Sequence, residues 1–161
     1  MTAVSNSSPL ILYARIGRLE LLKALFDEIL IPPAVWHEVV TGAAGRIGER
    51  EVRQSEWIRQ RPLTTGTIPT RFANLDVGEA EALALASSLD AVAPILLDDE
   101  RARRVARDAG LFVIGSAGIL ARAKEIGHIS SIRLPLEELQ AAGLYLGTRP
   151  TQRILELADE Q

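Results

Sequence analysis

The 161-residue chain (17.5 kDa) is 47% apolar and 24% charged, which excludes disorder along its whole length and suffices for one packed core. It has no cysteine and only two histidines, which excludes disulfide frameworks, thiolate metal sites and cysteine nucleophiles and leaves little for a His-rich metal site. Eighteen basic against 21 acidic residues give a net charge of −3, which excludes holding nucleic acid by bulk charge; all but Lys23 and Lys124 are Arg, so local bidentate contacts to phosphate remain available.

Short β-like runs alternate with longer helical ones, the pattern of an α/β fold with a mainly parallel sheet. Thr2 to Ser5 is predicted as the first strand, and Ser8 followed by Pro9 reads as a helix N-cap with proline at the first helical position, opening a helix that Gly17 ends. Leu19, Leu22, Leu25 and Phe26 mark a second helix, and Ile29-Leu30-Ile31 a buried strand stopped by Pro32-Pro33. A helix carrying Glu38 is predicted over Ala34 to Val40, a flexible loop over 41–48, a polar helix over 49–56, a strand within 57–63 and a loop over 64–69. The most strongly helical segment is Glu79 to Leu89, dense in Ala and Leu. Pro94 to Leu97 predicts a strand running into Asp98-Asp99-Glu100 and an Arg-bearing helix; Leu111 to Ile114 predicts another strand. Ala117 to Glu125, Leu134 to Ala142 and Thr148 to Ala158 complete the predicted helices. Residues 1–161 read as a single domain, with 148–161 a C-terminal helical extension. No apolar run approaches the roughly 20 residues of a spanning helix, and Met1 to Asn6 lacks a secretory start, so the expectation is a cytoplasmic protein with no membrane partner.

Ligands of parallel α/β sheets collect outside the carboxyl ends of the strands. Asn6 follows the first predicted strand, Asp98 and Asp99 follow Pro94 to Leu97, Glu79 comes after an Asp-x-Gly turn, and Glu38 lies a few residues beyond a strand. Brought together they would form an oxygen-only donor set, which suits Mg²⁺ or Mn²⁺ shared with phosphate oxygens. Hydrolysis of an anionic phosphodiester calls for such an ion, to neutralise charge and lower the pKa of water. Each position also has an ordinary reading: Glu79 as a first-turn acid, Asp98 or Asp99 as an N-cap, Glu38 as a solvated side chain, Asn6 as a turn residue. The Arg run from 101 to 107 fits a solvated face as well as an RNA contact, and His37 and His128 read as structural or surface residues.

The segment Val4-Ser5-Asn6-Ser7-Ser8-Pro9-Leu10-Ile11 resembles the opening strand and turn of PIN domains, the fold of VapC-type toxin ribonucleases and of many RNA-processing nucleases. Further pieces resemble an uncharacterised prokaryotic branch of that fold: Ile16-Gly17-Arg18-Leu19-Glu20-Leu21-Leu22, Ile31-Pro32-Pro33-Ala34-Val35 with Glu38-Val39, and Gly78-Glu79-Ala80-Glu81-Ala82. Leu97-Asp98-Asp99 with Arg101-Ala102-Arg103 and Val113-Ile114-Gly115 with Gly118-Ile119-Leu120 continue the series, which spans roughly residues 2 to 145 in order.

The resemblance implies a three-layer α/β/α sandwich and a ribonuclease that cuts single-stranded RNA with Mg²⁺ or Mn²⁺. By position, the family's four acidic sites fall on Asn6, Glu38, Glu79 and Asp99, with Asp98 an accessory ligand or orienting base and Ser8 the hydroxyl that orients the first site. Glu81 would point to another helix face, and Arg101, Arg103 and Arg104 would guide the RNA backbone. The implied partners are a small antitoxin protein and a second copy of the chain. Asn6 departs from the Asp of most active members and removes one negative charge. Two readings therefore stand side by side: a toxin-type ribonuclease, and a PIN-like binding module that has lost catalysis. A receiver-like role for Asp98-Asp99 is poorly supported in a chain with two Lys.

Overall fold

The computed structural model describes residues 1–160. Strands β1 (Thr2–Ser5), β2 (Glu28–Ile31), β3 (Ile58–Gln60), β4 (Ile95–Leu96) and β5 (Val113–Ile114) form one sheet in the order β3-β2-β1-β4-β5. All four pairings are parallel, so the sheet is wholly rather than mainly parallel. Parallel neighbours need crossovers, and helices supply them. These are α1 (Ser7–Arg15) and α2 (Leu19–Leu25), α3 (Pro33–Trp36) and α4 (Glu49–Gln54), α5 (Val77–Ser88), and α6 (Glu100–Asp108). Helices α7 (Ser116–Glu125), α8 (Arg133–Ala141) and α9 (Thr148–Leu157) follow β5.

Side chains alternate across the strands with a period of two, and the core divides accordingly. Ala3, Ile29, Ile31, Leu96 and Ile114 pack on one face with Leu10, Leu22, Leu120 and Leu139 of α1, α2, α7 and α8. Val4, Leu30, Ile95 and Leu97 pack on the other with Leu83 and Leu85 of α5 and Ala102 and Ala106 of α6. The result is the expected three layers.

Strand β1 pairs with β2 on one side and β4 on the other, so the winding reverses between β1 and β4. At such a switch point the following loops diverge and open a crevice above the carboxyl ends. The registers Val4 to Ile95 and Ser5 to Leu96, continued by the 3.0 Å bond from Asn6 N–H to Leu96 O, bring Asn6 and Asp98 to that crevice.

Helix boundaries differ from the sequence reading at two informative places. α1 starts at Ser7 with Asn6, in extended conformation (φ −80°, ψ 175°), as its N-cap residue; Ser8 does not cap because its hydroxyl is committed to Asp98, and Pro9 sits in the first turn, where no N–H is missed. The helix predicted over Ala34 to Val40 is a short α3 that widens into a π turn at His37–Thr41, closed by Gly42 N–H on His37 O at 2.6 Å. Such turns are rare and recur at functional sites.

Helix α9 has no fully buried side chain, and its seat is fixed beyond its end. Glu160 accepts from Ile132 N (2.8 Å), Lys124 Nζ (3.0 Å) and Ser131 Oγ, and Lys124 also donates to Ala158 O. Desolvation opposes ionisation of Glu160, but these donors and the Lys124 charge hold its carboxyl down at about 2, so the clamp persists above the ordinary carboxylate range and is lost as pH falls through that value.

Leu83 is wholly enclosed between α5 and the sheet. Leu83→Ala is expected to lower unfolding free energy by about 2–5 kcal/mol in denaturant melts, while Val92→Ala, at a position 89% exposed, is expected to change it by under about 0.5 kcal/mol.

Candidate active site

Asp98 follows Leu97 just past the end of β4 and accepts three hydrogen bonds. Its Oδ1 accepts from Ser116 N at 2.7 Å, and its Oδ2 from Ser116 Oγ at 2.6 Å and Ser8 Oγ at 3.1 Å. Ser116 opens α7 and Ser8 lies in the first turn of α1, so one carboxylate sits at two helix N-termini, where negative charge is favoured. Tyr13 completes the network by donating its hydroxyl to Ser116 O at 2.7 Å; burial first, and Asp98 second, push its pKa up, so it stays a donor. One expectation changes here: Ser8 orients Asp98 rather than Asn6. Asp98 also ties α1, α7 and the end of β4 together, and its three hydrogen bonds leave the carboxylate acceptor capacity to spare.

Asp99, the next residue, is the N-cap of α6: its Oδ1 accepts from Ala102 N at 2.9 Å. Its Oδ2 accepts no hydrogen bond among the described residues and is free to bind. Glu79 lies in the first turn of α5, where Asp76 and Glu79 form a capping box, with Glu79 Oε1 accepting Asp76 N–H at 3.3 Å. The ordinary cap readings and the acidic cluster therefore coexist in the same side chains.

Glu38 stands on the π turn and receives Ser7 Oγ. It reaches the start of α5 because Gly78 is there: a Cβ at that position would lie 2.6 Å from Glu38 Oε1. Glu81, as expected, faces elsewhere and accepts Ala34 N–H at 3.2 Å at the opening of α3. Asn6 is 8% exposed, and its side chain makes no cap bond to α1.

Asn6, Ser8, Glu79, Asp98 and Asp99 line one cleft of about 1210 Å³. Arg103 lines it too, but its Nη1 donates to Leu97 O at 3.1 Å and lies where a Cβ at Gly115 would overlap it, so it braces the β4 end instead of standing free. Arg101 and Arg104 are exposed on α6 outside the cleft lining.

Burial raises the pKa of Glu79, and the charges of Asp99, Asp76 and Glu38 raise it further, against the pull of the Asp76 N–H. This is the electrostatic state of carboxylates gathered without a counter-ion. Among the described residues no three acidic or imidazole groups are arranged to hold an ion as they stand. The fit of Mg²⁺ or Mn²⁺ therefore rests on the donor chemistry, which is all oxygen, and on the mutual repulsion a cation would relieve.

Sequence reading missed Ser7, Ser116, Tyr13 and Asp76. Ser116 had a visible signal, since it follows a strand end and Gly115 just as Asp98 follows β4. Ser7 and Tyr13 had none, because their roles depend on contacts 31 and 103 residues away.

A family model described as PIN domain (DUF3368) matches residues 2–160. Among solved structures, a PilT N-terminus domain protein from the hyperthermophilic archaeon Sulfolobus solfataricus P2 is similar, with a TM-score of 0.57 and 18% identity over 76% of this chain and 93% of that one, a likeness of fold alone. No curated protein matches.

The raised pKa of Glu79 has a thermodynamic sign. A carboxyl whose pKa rises on folding adds stability below its unfolded value, and that contribution is lost as pH rises through the folded one. Glu79→Gln, which keeps the cap acceptor, is therefore expected to melt above the parent in EDTA at pH 7.5. At pH 4 the difference is expected to shrink toward zero in parallel thermal scans.

Proposed function

The chain belongs to the PIN-domain family, commonly metal-dependent nucleases, and on that premise we propose that it is a Mg²⁺- or Mn²⁺-dependent endoribonuclease that hydrolyses single-stranded RNA. The observation that supports this reading is that Asn6, Glu79 and Asp99 line one cleft at the sheet's switch point, with Glu38, outside that lining, near enough for its charge to act on Glu79. Asn6 arrives from β1, Glu38 from the π turn, Glu79 from α5 and Asp99 from the start of α6.

Glu38, Glu79 and Asp99 would hold the ion, with Asn6 adding one neutral oxygen. When bound, the ion offsets phosphate charge and lowers the pKa of water, so hydrolysis proceeds without a covalent enzyme intermediate. Asp98 acts through position: by holding Ser8 and Ser116 it fixes α1 and α7, and with them the Asn6 and Asp99 backbone on either side. Ser7 turns Glu38 toward α5. Glu79 keeps a proton more readily than an ordinary glutamate until a cation replaces it.

The family reading extends to a prokaryotic toxin whose activity a small antitoxin restrains, working in the cytoplasm and as a homodimer; its support is the motif series from Val4 to Leu120. No helix here is long and apolar enough to cross a membrane. A second reading, a binding module without catalysis, is favoured by Asn6 itself, because an amide leaves the donor set one charge short.

Both readings meet in one assay of single-stranded RNA cleavage with Mn²⁺ or EDTA. The nuclease reading expects metal-dependent cutting that falls about 100-fold or more in Asp99→Ala and rises in Asn6→Asp. If folded, partner-free protein cuts nothing and Asn6→Asp creates activity, the natural chain is a binding module.

A further inference from the structure

The chain has three Phe, two Tyr and two Trp, and only Phe112 (48%) and Tyr145 (91%) are exposed. Both line the same cleft as the carboxylates. Phe112 precedes β5 and carries the Arg122 guanidinium 5.2 Å above its ring centroid; Tyr145 lies on the linker between α8 and α9. Arg122 of α7 and Arg153 of α9 line the cleft beside them, and neither has a carboxylate within ion-pair distance among the described residues. The cleft thus has two chemistries, carboxylates at the β1–β4 end and a cationic, aromatic wall along β5, α7 and α9.

We propose that this wall binds a single-stranded nucleic acid beside the carboxylate end, with Phe112 and Tyr145 stacking successive bases and Arg122 and Arg153 holding the phosphates between them. The proposal rests on the nuclease reading for what happens at the carboxylates, but the wall's chemistry stands apart from it. Exposed rings are platforms for unpaired bases, whose faces are open, and a duplex buries those faces in its own stack. Unpaired Arg adjoining such rings supplies the fixed positive charge that a phosphate backbone needs and that a net charge of −3 does not supply in bulk. α9 can serve as a wall because Glu160 clamps its end to α7 and to the start of α8. Residues 148–160 then belong to the substrate surface, where the sequence suggested only an extension.

The test is fluorescence anisotropy of the full-length protein with labelled 12-nucleotide single strands and the matching duplex, in EDTA so that nothing is cut. The expected result is single-strand binding that weakens about 5- to 150-fold in Tyr145→Ala with an unchanged salt slope. The double variant Arg122→Ala, Arg153→Ala is expected to weaken binding and to flatten the slope of log affinity against log salt by about 0.7 per arginine. Lys23→Ala, on exposed α2 and outside the cleft, is the control for unchanged binding. All the altered side chains are exposed or half-buried, and thermal melts verify that each variant folds. Unchanged affinity and slope in the variants, with RNA cutting intact, would overturn the wall while leaving the nuclease reading. Binding that follows the expected pattern in a protein that cuts nothing supports the wall and removes the nuclease reading. Absence of binding by the parent, or duplex preferred to single strand, overturns the proposal outright.

Discussion

One carboxylate holds the cleft in shape. Asp98 accepts three hydrogen bonds from two serines on different helices, and Ser116 passes the constraint on to Tyr13 inside the core. Bonds to a charged acceptor contribute about 1.5–3 kcal/mol each, so this group outweighs most single contacts at this end of the sheet. It also fixes direction. With α1, α7 and the end of β4 tied to one another, Asn6 and Asp99 have little freedom to separate, and the cleft inherits its geometry from Asp98.

The remaining acids are in the opposite condition. Glu38, Glu79 and Asp99 each make a single hydrogen bond to a serine or to backbone N–H, and Glu79 resists ionisation in its buried, negatively charged surroundings. The cap acceptors of α5 and α6 and the proposed ligands are thus the same side chains. The N-termini of α5 and α6 attract acids for ordinary helix-dipole reasons, and the topology of the sheet then gathers those acids at one crevice. Asn6 brings no charge to this end of the cleft, so it adds nothing to the repulsion among the acids and nothing to the attraction for a cation that an Asp would add.

The layered architecture was legible because strand alternation, helical spacing and the chain-order rule for parallel sheets are local or topological. β1, β2 and α5 appear within two residues of their predicted bounds, and an Arg-bearing helix follows Asp99 as read. The acids of the cleft lining had local signals too, Asp98 and Asp99 by following a strand and Glu79 by following an Asp-x-Gly turn. What could not be read was which hydroxyl serves which carboxylate: Ser8 spans 90 residues to Asp98, and Ser7 spans 31 to Glu38. Periodicity carries no information about such pairs. The arginines show the same limit, since Arg101 and Arg104 follow the strand in sequence yet are not among the cleft's lining residues, whereas Arg122 and Arg153 reach it from helices far along the chain. Gly78 and Gly115 were visible as letters, but their purpose, admitting Glu38 and Arg103, exists only once the helices are packed.

Glu38, Glu79 and Asp99, aided by Asn6, are proposed to form a single divalent-cation site whose shape Asp98 maintains. Electron paramagnetic resonance of Mn²⁺ titrated into the full-length protein tests it directly, because the sharp signal of free ion disappears on binding. One site per chain is predicted, lost in Asp99→Ala and in Glu79→Gln while both variants stay folded. Mn²⁺ that remains free with the parent protein, or binds both variants as tightly as the parent, would contradict the claim.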